Sequence, residues 1–93
     1  MIERMREQLP SALTVALALH RSEVCFKNRV VDLGSRQIDC DIHCHPCSLF
    51  VTASAWWVGF EDDQGRHASV SLGSRVETIV ANLANLAEVN SWS

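Results

Sequence analysis

From Ser74 onward the apolar residues Val76, Ile79, Val80, Leu83, Leu86 and Ala87 recur at steps of three and four. That spacing winds them onto one stripe of a 3.6-residue helix and leaves Thr78, Asn82, Asn85 and Glu88 facing water. Ser74 and Glu77 stand three apart at the start, the Ser-x-x-Glu box in which hydroxyl and carboxylate satisfy free amides of a first turn. An amphipathic helix over about residues 75–89 follows. Such a helix must be laid against another layer, and the rest of a 93-residue chain has to supply it.

The layer is readable as a sheet. Glu61-Asp62-Asp63-Gln64-Gly65-Arg66 is a polar loop whose glycine tolerates a positive φ, and it divides two β-rich runs into a hairpin. The first run, residues 49–60, is apolar on both faces, as a central strand is. The second, residues 67–72, alternates, with Ala68, Val70 and Leu72 inward and His67, Ser69 and Ser71 outward. Residues 24–33 and 37–44 make another strand pair joined around Leu33-Gly34-Ser35-Arg36. Residues 11–20 read two ways. They are rich in Ala and Leu behind Pro10, as a helix is, yet Leu13, Val15, Leu17 and Leu19 alternate as a strand does; propensity favours the helix. The expected fold is a single small α+β domain spanning residues 1–93. Its three- to four-stranded antiparallel sheet carries the C-terminal helix across one face and the N-terminal helix beside it.

Charge narrows the partners. The net charge is −3, but residues 1–36 carry six basic against four acidic side chains, +2, and the remainder two against seven, −5. No basic stripe tracks a phosphate backbone, so a protein partner is expected rather than nucleic acid. A leader at residues 9–19 is rejected because Glu3 and Glu7 offset Arg4 and Arg6, and Pro10 and Ser11 shorten the apolar run. No stretch reaches the roughly 18 apolar residues of a membrane span. A cytoplasmic setting is expected, where disulfides are disfavoured.

Three of the four cysteines and two of the four histidines fall within Cys40-Asp41-Ile42-His43-Cys44-His45-Pro46-Cys47. If residues 37–45 are a strand, Ile38, Cys40, Ile42 and Cys44 share one face and Asp39, Asp41, His43 and His45 the other, so the thiols are simply small core residues. Alternatively Cys44-x2-Cys47 is a knuckle around a structural zinc ion, with Pro46 stiffening the turn. Cys40 then adds a third thiolate, and His45, His43 or Cys25 the fourth ligand.

Three resemblances are short. Cys-x3-Cys-x2-Cys at Cys40, Cys44 and Cys47 resembles the cluster motif of radical SAM enzymes, whose partial barrel this chain has no room for. Asp41-Ile42-His43-Cys44-His45 is similar to the metal-site entry of amidohydrolase and PHP-type phosphoesterase barrels, which need about 250 residues. Cys44-His45-Pro46-Cys47 looks like a thioredoxin-type dithiol, but strand-like sequence follows it instead of a helix.

Adjacent Trp56 and Trp57 must point to opposite faces of a strand, which makes one or both candidates for a partner contact unless helices cover both. Trp92 is either a peg onto the domain or a loose end, and His20 and His67 read as surface residues. With no Ser/His/Asp set or glycine-rich phosphate loop, the expected function is a non-enzymatic protein-interaction module. It would act as a small adaptor or inhibitor, of the kind phages and mobile elements use against host or defence machinery. The alternative is a small metal-dependent hydrolase using Asp41, His43 and His45, and a homodimer built on an edge strand or an exposed Trp face is a third possibility.

Overall fold

Consecutive strands joined by two to five residues have no option but to pair antiparallel with their predecessors. In the computed structural model, which describes residues 9–92, they do so four times over. The order is α1 (Ala12–His20), β1 (Phe26–Asp32), β2 (Gln37–Ile42), β3 (His45–Thr52), β4 (Ala55–Glu61), β5 (His67–Gly73) and α2 (Val76–Val89). The strands form one meander, β1-β2-β3-β4-β5. The α+β class is as expected. The strand count is not: the run at residues 49–60 is two strands, turned at Ala53-Ser54 and closed by the pair Thr52 and Ala55. Ala53 takes φ 57 there. No Gly, Asn or Asp marks this turn, which is why the sequence pattern runs straight through it.

α1 settles its own ambiguity. The Ser11 hydroxyl accepts from the Thr14 N–H at 3.2 Å, a side-chain N-cap, and Ala12, Val15, Ala16 and Leu19 are buried. Those positions follow the helical steps of three and four, so the alternation at Leu13 and Leu17 is left outward, 51% and 45% exposed. In α2 the buried residues are Ile79, Leu83 and Ala87. Its N-cap is Arg75, with no side-chain hydrogen bond, so the Ser74 box does not form. β5 runs on through Gly73 at φ 103, and the chain enters the helix one residue past Ser74.

Both helices share one side of the sheet, and a single core fills the space between. Ile38, Cys40, Ile42, Leu49, Trp56, Val58 and Leu72 are fully buried against α1 and α2. The indole N–H of Trp56 donates to the Pro10 carbonyl at 3.0 Å and ties the chain entering α1 to β4. Asn82 of α2 donates to the Leu72 carbonyl of β5 at 2.8 Å. Trp92 is a peg: it stacks on His45 at 4.5 Å and meets Phe60 edge-on at 5.2 Å. The residues behind the rejected leader, Glu3, Arg4, Arg6 and Glu7, lie outside the described residues. Among the described residues, no helix is long and apolar enough to cross a membrane.

Candidate functional site

The thiol segment is a β-hairpin. His43 and Cys44 form its two-residue turn at φ 50 and 67, both in the left-handed region that a primed hairpin turn demands. Ile42 and His45 close it, Asp41 faces Pro46, and Cys40 faces Cys47. Pro46 therefore lies within β3 and stiffens no knuckle. Because a two-residue turn is closed by a hydrogen-bonded pair, Asp41–Pro46 is a non-hydrogen-bonded one, and the missing proline N–H breaks no bond to β2.

This geometry divides the candidate ligands. Cys40 and Cys47 are neighbours on the helix side, 0% and 5% exposed. Burial is the main reason both thiols are pushed up to about 12, with Cys47 adding to the effect on Cys40. Cys47 donates to the His45 carbonyl at 3.3 Å. Cys44, expected on the same buried face, instead stands exposed at the hairpin tip, and Cys25 is exposed beside it, its carbonyl accepting from the His43 N–H at 2.7 Å. Among the described residues no group of three or more His, Cys, Asp or Glu side chains is placed to hold a metal ion. A proton-retaining pair sunk among aliphatics is also poor material for a thiolate ligand or nucleophile.

The alternative set disperses as well. Asp41 lies on the open side of the sheet, paired with Arg29. His43 is in the turn, and His45 lies on the helix side under Trp92, with Nε2 3.0 Å from the Glu61 carbonyl. Successive strand residues alternate faces, so once the turn is placed at residues 43–44, Asp41 and His45 cannot meet.

The open side holds a different group. Register pairs Phe50 with Trp57 and Ser48 with Gly59, and on the flanking strands Val30 with Asp39 and Gly59 with Ser69. A β-carbon on Gly59 would lie 3.3 Å from Phe50 Cε1, so the bare glycine lets the ring lie across β4. Trp57 is half-buried, and its indole N–H is enclosed without an acceptor. Beside this pair a depression of about 670 Å³ is lined by Ser48, Phe50, Gly59 and Ser69 and rimmed by Asp39, Glu61, Asp62, His67 and Arg29. The bulge in β1 between Asn28 and Val30 turns Arg29 and Val30 to this same side, where Arg29 meets Asp41.

Of the two tryptophans proposed as partner contacts, Trp56 is fully buried and drops out; Trp57 stands on the face that neither helix covers. Phe50 was missed. Its signal was the second apolar face of residues 49–60, read as the mark of a strand covered on both sides. His20 bonds Asn28 at 2.7 Å and His67 is exposed, both at the surface as expected. No protein-family model, curated protein or solved structure matches this chain.

Proposed function

We propose that this chain is a non-enzymatic protein-interaction domain, a small adaptor or inhibitor, that takes its partner on the open face of the sheet. The observation that carries the reading is the Phe50–Trp57 pair, an aromatic platform that neither helix covers on a face otherwise made mostly of small, polar and charged residues. Trp is the side chain most enriched where a few contacts dominate binding. The enclosed indole N–H supports the same reading. A donor without an acceptor costs about 1–3 kcal/mol, and a modest turn of the ring toward a partner's carbonyl would recover it.

Charge chooses the partner's chemistry. Asp32, Asp39, Asp41, Glu61 and Asp62 stand on or around this face against Lys27, Arg29 and Arg66, leaving it acidic. A segment pairing Lys or Arg with an apolar side chain is complementary to it: the apolar group on Phe50 and Trp57, the cation at Asp39 and Glu61.

Display of random peptides against the immobilised full chain tests this. Selected peptides should be rich in Lys or Arg next to an aliphatic or aromatic residue. They should lose about 30-fold in affinity on Trp57→Ala, and weaken as salt rises. Binders indifferent to Trp57→Ala, or turnover of a phosphoester or amide with added divalent metal, would overturn the proposal.

A further inference from the structure

The two edges of the sheet are finished differently. β1 carries a bulge and three charged side chains, Lys27, Arg29 and Asp32, devices that discourage another strand from pairing. β5 has none. Its residues His67, Ala68, Ser69, Val70, Ser71, Leu72 and Gly73 include no acidic or basic side chain apart from the terminal histidine. Among the described residues β5 pairs with β4 alone, so one side of its backbone is open. Above it, Asn82 reaches the Leu72 carbonyl, which places the Asn82 flank of α2 over β5. Steps of four and three from Asn82 bring Leu86 and Val89 to that flank. Leu86 is half-buried, Val89 is 71% exposed, and Val70, on the helix side of β5 opposite Val58, is 37% exposed.

We infer that β5 is the seam of a homodimer, in which a second copy of this chain adds its own β5 antiparallel across a two-fold axis and joins two five-stranded sheets into one of ten.

The strand is complementary to itself. Paired about Ser69, it sets Ala68 of each copy against Val70 of the other on the helix side. On the open side Ser69 faces Ser69, and His67 faces Ser71. No acid meets an acid, although each chain carries a net charge of −3. Ala68, Val70, Leu86 and Val89 of both copies then bury one another, which is the isologous contact a two-fold demands. A foreign strand is selected in part by charges along the edge; β5 carries no acidic residue, lysine or arginine, while a second copy brings the matching alternation with it. The same operation at β1 would set Arg29 near Arg29. Trp57 stands one strand in from the seam, opposite Ser71, so the dimer presents two partner-binding faces on one continuous surface, which raises affinity for a repetitive partner.

Sedimentation equilibrium of the full chain over a concentration series tests the seam. The wild type should fit a monomer–dimer equilibrium approaching twice the 10.4 kDa of one chain. Val70→Lys should give a folded monomer, judged by circular dichroism. Val89→Asp, on a side chain too exposed to be needed for folding, should raise the dissociation constant by at least about tenfold. Val30→Lys, on the opposite edge, should leave the dimer intact. A wild type that stays monomeric throughout overturns the inference, and so does a dimer that survives both Val70→Lys and Val89→Asp or is lost with Val30→Lys. Dimerisation and peptide binding are read separately, so failure of one leaves the other standing.

Discussion

The two faces of this sheet are built from the same strands and end in opposite states. On the helix side Trp56, Val58, Leu49, Ile38 and Cys40 are all at 0% exposure beneath α1 and α2. On the open side the neighbouring residues Trp57, Phe50, Asp39 and Ser48 are only half-buried. Trp56 and Trp57 differ by one residue, and alternation sends them to these two environments. The first finds an acceptor for its indole N–H in the Pro10 carbonyl; the second finds none. A covered aromatic contributes to stability; on the proposed function, the one that neither helix covers serves binding instead.

The tryptophans give the sharpest way to break that comparison. Trp56→Ala should destabilise the fold by about 3–5 kcal/mol, while Trp57→Ala should cost about 1 kcal/mol, the scale of an aromatic pair. Urea unfolding of both variants checks the difference. Equal losses would mean that the open face is core in all but name.

The thiols sharpen the contrast next. A disulfide-exchange reagent should label Cys25 and Cys44 in the folded protein and reach Cys40 and Cys47 only on unfolding. Both buried thiols have folded pKa values raised to about 12, above the roughly 8.5 of an unfolded chain. The unfolded state therefore releases protons first as pH rises. The stability they contribute is fully present below about pH 8.5 and falls between there and about 12. Melting curves across that range should show a loss that the Cys40→Ala/Cys47→Ala variant lacks. Dialysis against EDTA should change neither labelling nor melting; protection of Cys44 and a fall in Tm on chelation would restore a zinc staple.

The smallest effects concern helix ends and surface charge. Arg75→Ser supplies the missing N-cap hydroxyl of α2 and should stabilise by about 0.5–1 kcal/mol. Arg29→Ala removes an ion pair whose members are 45% and 28% exposed, and should cost less than about 1 kcal/mol. Thermal melts of the two variants should move in opposite directions.

Much of the architecture was legible before any coordinates. The stripe from Val76 to Ala87, the loop around Gly65 and the pairing across Leu33–Arg36 all depend on neighbours close in sequence, and all are found. The turn at Ala53-Ser54 was not, since neither residue has the backbone preference that advertises such a bend, and the fifth strand was hidden with it. The same kind of gap misplaced the cysteines. His43-Cys44 carries no turn glycine, so the hairpin was read as a strand running into a knuckle, and one misplaced bend moved Cys44 and His45 off their expected faces.

Periodicity alone determined that this chain alternates apolar and polar residues about a sheet and winds one stripe at its C-terminal end, because those patterns are local properties of the backbone. It also determined that Trp56 and Trp57 part company. Which of them would be covered was decided by the tertiary structure. Both helices settle on one side, where a single continuous core buries more apolar surface than two thin ones would. Phe50 and Trp57 are left on the other.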